Sequence, residues 1–163
     1  KKYKGVKLTE KGRLAATSIV RKHRLWEVFL VDKLGFSWDE VHEVAEQLEH
    51  IKSSKLTDEL DSFLNYPKAD PHGDPIPDSD GNIIDSKKQV LANVSIHANC
   101  ICIGVNDSSN FFLKYLDKFK IKLGTKITVL SREFYDSSMT VLINNMKISI
   151  SKEVSNNLYV EII

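Results

Sequence analysis

Cysteine is nearly absent from this 163-residue chain, which has only Cys100 and Cys102. Two thiols cannot build a disulfide framework, and as i, i+2 neighbours they are badly placed to bond to each other in a strand. A reducing, cytoplasmic setting is therefore expected. Proline and glycine are scarce too, at four and seven, which argues against a low-complexity chain. No apolar run approaches the ~20 residues of a membrane-crossing helix. The opening Lys1-Lys2-Tyr3-Lys4-Gly5 has no apolar stretch behind it to make a signal peptide. An excess of one charge is also missing. With 23 Lys and Arg against 22 Asp and Glu, the net charge is +1, so there is no bulk electrostatic footprint for nucleic acid or an acidic membrane. What is present is a globular composition, 42% hydrophobic and 28% charged, long enough for one ordinary domain or two small ones. No initiating Met stands at position 1, so the chain is expected to begin part-way through a longer protein.

The hydrophobic pattern changes period along the chain. Tyr3, Lys4, Val6 and Leu8 read as a short strand. Thr9 is a candidate N-cap for a helix whose apolar residues run from Leu14 through Leu25, Trp26, Phe29 and Leu30 to Leu34, with Gly35 as its stop. Ser37-Trp38-Asp39-Glu40 has the form of a capping box and opens a second helix to about Ile51. A third helix is expected over about Lys55–Leu64. Residues 66–88 hold all four prolines and read as a linker. Beyond it the period becomes two, starting with Val94, Ile96, Ala98 and Cys100. A short helix is expected over about Ser109–Lys118, with strands at 126–131, 139–144, 147–151 and 158–163 and a tight turn at Asn144-Asn145. This predicts an α+β protein: a helical domain over 9–65, a linker over 66–88, and a small β-barrel over 89–163.

The chemistry concentrates between His23 and His50. His23 and Glu27 are four apart and share a helix face. In the second helix His42, Glu46, Glu49 and His50 fall within an arc of roughly 100°. Val41, Val44, Ala45, Leu48 and Ile51 take the opposite side. Imidazoles and carboxylates at one-turn spacing on two helices can converge on a divalent cation such as Fe(II), Mn(II), Zn(II), Co(II) or Ni(II), and added carboxylates shift the preference toward Mn. No thiolate lies in the stripe, which argues against a structural Cys-type zinc site. The competing explanation is a solvated polar helix face. Cys100 and Cys102 point to one face of a strand and read as core residues. His97 reads as surface, and His72 as part of the turn chemistry of the linker.

Leu8-Thr9-Glu10-Lys11-Gly12, Arg21-Lys22-His23-Arg24-Leu25-Trp26-Glu27, Trp38 through His50, and His72-Gly73-Asp74-Pro75-Ile76-Pro77 together resemble the diphtheria toxin repressor family of iron- and manganese-dependent repressors. The resemblance covers residues 1–80 in order and spacing. Residues 90–163 resemble the family's SH3-like domain. It implies that residues 1–8 are the remnant wing strand of a winged helix whose recognition helix lies upstream, so this chain alone is not expected to read an operator. It further implies a homodimer, with operator DNA as the partner of the longer protein. His23, Glu27 and His42 match the family's ancillary metal site, and Glu46, Glu49 and His50 match part of its primary site. Asp107 and Asn110 are candidates for further ancillary ligands. Glu at position 46 is the manganese-type choice, where iron-type members carry Cys.

Two rival classes differ in their sequence demands. A di-metal carboxylate/His hydrolase or oxidase is the enzyme alternative. A di-iron site of that kind wants Glu-x-x-His on two helices of a four-helix bundle, whereas His50 directly follows Glu49 and only three helices are present. A peptide-binding SH3 module would want an aromatic-rich face, which the barrel segment lacks. Docking of the barrel onto its own linker fits better than an external partner.

Overall fold

The structure, a computed structural model, describes residues 7–84 and 88–163. Of the expected wing strand, residues 1–6 lie outside the described residues, and Lys7 and Leu8 belong to no regular element.

The Thr9 hydroxyl accepts the Gly12 N–H at 3.1 Å and starts α1, Glu10–Leu34, as the sequence suggests. Gly35 ends it in the left-handed region (φ 75°), with the Phe36 N–H bonded back to the Leu30 carbonyl. α2 spans Val41–Leu48. The Ser37 N–H donates to Glu40 Oε1 at 2.9 Å, which is one arm of the expected capping box, but the helix opens at Val41, three residues later than Ser37 as N-cap implies. It also stops short of Ile51: the Ile51 N–H bonds only to the Leu48 carbonyl, and Ile51 is exposed rather than core. α3 spans Ser54–Phe63, capped by Ser53.

Two apolar clusters hold these helices together. Leu25 and Val28 of α1 pack with Leu60 and Leu64, with Ile76 beside them. Leu30 packs with Val41 and Ala45 of α2. Burying each such side chain contributes about 1.5–3 kcal/mol. Arg21, itself buried, donates to Asp58 at 3.0 Å and to Asp61 at 2.7 Å, tying α1 to α3.

The second half is a six-stranded antiparallel sheet in the order β1-β6-β2-β3-β4-β5. Its strands are β1 (Gln89–Val90), β2 (Asn99–Val105), β3 (Lys126–Arg132), β4 (Met139–Ile143), β5 (Met146–Ile150) and β6 (Leu158–Ile162). Alternate residues such as Cys100, Cys102, Ile127, Val129, Val141 and Ile143 are buried. Register shifts between Cys102 and Gly104 and between Val129 and Ser131 bend the sheet around that face. α4, Asn110–Lys118, covers it with Leu113 and Leu116. Asn144 and Asn145 both have positive φ, as a two-residue hairpin turn requires.

One expectation fails here. The strand expected from Val94 begins only at Asn99, because Leu91–Asn93 is a 3-10 turn and His97 adopts φ 68°. A short helix, α5 (Lys152–Asn156), fills the gap between the last two expected strands.

The stretch 66–88 is not a single free linker, because the chain divides into two compact units within it. Pro71–Gly73 belongs with the β unit, and Asp74 onward returns to the helical one. In the helical unit the Arg24 guanidinium pairs with Asp70 at 3.4 Å and Asp74 at 3.6 Å, and donates to the Pro75 carbonyl. In the β unit the Val105 N–H donates to the His72 carbonyl at 2.9 Å. Gly73 (φ 86°) lies so close to β2 that a Cβ there would sit 2.1 Å from the Ile103 oxygen.

Candidate metal centre

α1 carries His23 and Glu27 one turn apart, and α2 carries His42. The Leu30–Val41–Ala45 cluster sets the distance between the two helices. Three donor atoms meet as a result. His23 Nε2 lies 3.1 Å from Glu27 Oε1 and 3.1 Å from His42 Nδ1, and His42 Nδ1 lies 3.3 Å from Glu27 Oε1. The imidazole planes are 61° apart, so their lone pairs converge instead of stacking. A transition-metal ion about 2.1 Å from each donor would see donor–donor edges of about 3.0–3.4 Å. The triangle therefore has the dimensions of one face of a coordination sphere. Its two imidazoles and one carboxylate suit Mn, Fe or Zn alike.

The electrostatics agree with this geometry. Glu27 is only 2% exposed, and a buried carboxylate is costly unless a cation, a proton or strong donors face it. The His23 pKa is raised above its ordinary value. The hydrogen bond to Glu27 is the main cause; burial opposes it, and the negative charges of Glu27 and Glu49 add to it. A proton on His23 and a cation at the triangle would therefore compete for the same carboxylate, Glu27.

The other expected site residues separate. Glu49, at the end of α2, turns its Oε2 to within 2.7 Å of His23 Nδ1. Glu46 and His50 are exposed, and among the described residues no convergent group of three donors contains either of them or Glu49. Asp107 and Asn110 lie in the β unit, at the start of α4, where Asp107 Oδ1 accepts the Ser109 N–H at 2.8 Å. Cys100 and Cys102 are buried and free, and burial pushes both thiols up to about 11. They belong to the barrel core, as read from the sequence. His97 is exposed.

Sequence reasoning missed the bond between His23 and Glu49. It assigned the two residues to different sites, and spacing within one helix carries no information about a contact between helices. It also missed Arg24, which sits between the two α1 ligands in sequence and pins the buried carboxylate of Asp70. Arg24 lies in a run with two other basic residues, Arg21 and Lys22, so nothing in the sequence singled it out.

A three-helix unit presenting a His/Glu/His triangle, joined to a small antiparallel β unit, defines a two-domain protein with a candidate metal site. Known proteins bear this out. Residues 9–78 match the domain family described as iron dependent repressor, metal binding and dimerisation domain, and residues 90–162 match the FeoA domain. The iron-dependent repressor IdeR of Mycobacterium tuberculosis is 47% identical over 72 residues, 44% of this chain and 31% of IdeR. The chain is 34% identical to a manganese-dependent transcriptional repressor solved in complex with manganese. That alignment covers 98% of this chain and 76% of the other, with a TM-score of 0.88. A probable metal transport system membrane protein of Chlamydia trachomatis is 52% identical over 68 residues, which make up 42% of this chain but 14% of that protein. The chain belongs to the family of iron- and manganese-dependent transcriptional repressors. The family consists of regulators, which sets aside the enzyme alternative. The aligned segment spans about a third of IdeR.

Proposed function

We propose that this chain is the metal-sensing and dimerisation portion of a cytoplasmic metal-dependent transcriptional repressor. The observation that carries the reading is the convergence of His23 Nε2, Glu27 Oε1 and His42 Nδ1 within 3.3 Å of one another. These three residues hold a divalent cation, Fe(II) or Mn(II) in the cell, with Zn(II), Co(II) or Ni(II) able to substitute. Glu46, Glu49 and His50 supply part of a second, primary site, and Asp107 and Asn110 are candidate outer ligands of the first. His23 and His42 would hold the ion through their ring nitrogens and Glu27 through a carboxylate oxygen, and its positive charge would neutralise the buried Glu27 carboxylate and so join α1 to α2. Binding of this kind shifts a conformational population in proportion to its preference for the joined state. In the homodimer that state sets the spacing of two DNA-binding domains on an operator dyad.

Calorimetric titration of the metal-free chain with Mn(II) tests the reading. One saturable ion per chain is expected, weakened at least 10-fold by His42→Ala, in line with the loss of one of three ligands. Binding that is unaffected by this substitution would place the ion elsewhere.

The likeness to the chlamydial protein favours one other setting: the same sensing unit attached to a metal transport protein. Metal-dependent retention of operator DNA by the full-length protein supports the repressor. Metal-dependent transport with no DNA retention supports the other reading.

A further inference from the structure

The near-neutral chain is electrically divided. Residues 86–163 carry ten Lys and Arg against six Asp and Glu, while the remainder carries thirteen against sixteen. The positive excess is focused on one stretch. Between Lys114 and Lys126 there are five lysines and a single acidic residue, Asp117.

The fold gathers this stretch around one concavity. α4 ends in paired bonds from the Lys120 N–H to the Asp117 carbonyl and from the Ile121 N–H to the Leu116 carbonyl, each 3.0 Å. This reversal turns the chain at Lys120, which adopts φ 55°. A second turn follows, closed by the Lys122 N–H to Thr125 Oγ1 at 2.9 Å and by Gly124 at φ 82°. It delivers the chain into β3 at Lys126. Lys120, Lys122 and Lys126 thereby line an open hollow of about 900 Å³, with Asp117 its one acidic lining residue, and all three lysines are exposed. Among the described residues none of the three is in an ion pair. Lys118 adds a fourth exposed cation at the last turn of α4.

We infer that this lysine-lined hollow of the FeoA unit is a contact surface for the phosphate backbone of duplex DNA. The hollow is wide and unenclosed, so it suits an extended polyanion better than a small bound anion. Amino groups there would neutralise phosphates and release counterions without reading bases. The choice of DNA among polyanions rests on the repressor reading above. The surface would add sequence-independent affinity that holds the regulator near its operator.

The test uses this chain with EDTA present, so that metal-activated operator binding plays no part. Fluorescence anisotropy with a labelled duplex of arbitrary sequence is followed from roughly 50 to 200 mM NaCl. Weak binding is expected, with a Kd of about 10⁻⁴–10⁻⁶ M that is the same for unrelated duplexes. In Lys120→Gln/Lys122→Gln/Lys126→Gln the slope of log K against log salt should fall by about 2–3, one phosphate contact per lysine. Affinity at low salt should fall at least ~10-fold. The urea midpoint of the variant should match that of the parent chain, and if it does not, Lys122→Gln/Lys126→Gln repeats the comparison with a slope loss of about 2. An unchanged slope, no binding at low salt, or tighter binding to phosphatidylserine-containing vesicles than to the duplex would each overturn the inference. None of these outcomes touches metal-activated operator binding, which is read on the full-length protein.

Discussion

At the residue scale, the ionic balance around Glu27 governs how the protein responds to pH before any metal arrives. Its carboxylate is 2% exposed and lies against two imidazoles. The folded-state pKa of His23 is raised, chiefly by the bond to Glu27, while in the unfolded chain it returns to about 6.5. A raised pKa means that the folded state binds the proton more tightly. The resulting stability is fully present below about pH 6.5 and is lost as pH rises through the folded-state value. The metal-free chain should therefore show a lower urea midpoint at pH 8 than at pH 6, with the difference reduced in His23→Gln. Equal midpoints in the parent chain would remove the proposed protonated His23. The proton also competes with the ion, so metal affinity should strengthen across the same window. The individual donors were legible in the sequence, since helical spacing alone brings His23 over Glu27. Which donors from the next helix would meet them was not legible. His42 arrives as the pattern suggested, but Glu49 reaches His23 because α2 ends just before it, and spacing cannot anticipate such an ending.

At the scale of elements, starts were easier to read than stops. Thr9 and Ser109 cap their helices through their own hydroxyls, a local bond that needs no tertiary context. The end of α2 and the late start of β2 depend on packing. Val94 is buried from within a non-strand turn, so its place in a period-two pattern was misleading. Residues 66–88 contain the boundaries between the two units, but proline content marks irregular backbone and does not say which parts of it pack. Gly73 tests this point. A methyl group there would lie 2.1 Å from the Ile103 oxygen and 2.5 Å from the Gly104 Cα, in a left-handed backbone that already disfavours a side chain. Neither obstacle is a flexible side-chain tip, so Gly73→Ala should destabilise the β unit by about 2–4 kcal/mol. Gly35→Ala, where nothing lies within 4 Å of the new methyl, should cost only about 1 kcal/mol. Urea melts of the two variants measure the contrast, and equal costs would mean that the 71–73 segment does not pack on β2 as described.

At the scale of the whole molecule, the chain carries two cores with separate tasks, and the ion should distinguish them. A ligand stabilises only the cooperative unit that contains its site, by about 2.7 kcal/mol at a concentration 100-fold above its Kd. His23, Glu27 and His42 all lie in the helical unit. The β unit has a hydrophobic interior of its own, built around Leu91, Leu113, Leu116, Ile127, Val129 and Leu158, and is expected to melt separately. Saturating Mn(II) should therefore raise the midpoint of the helical transition and leave that of the β transition in place, as read by calorimetry with the unit's aromatic near-UV signals as a second probe. Trp26 and Trp38 both lie in the helical unit, whereas the β unit has no tryptophan, so tryptophan fluorescence follows the first transition alone. A shift of both transitions would mean that the two units do not melt independently. If neither transition shifts, the triangle of donors holds no ion, and the metal-sensing reading of His23, Glu27 and His42 fails.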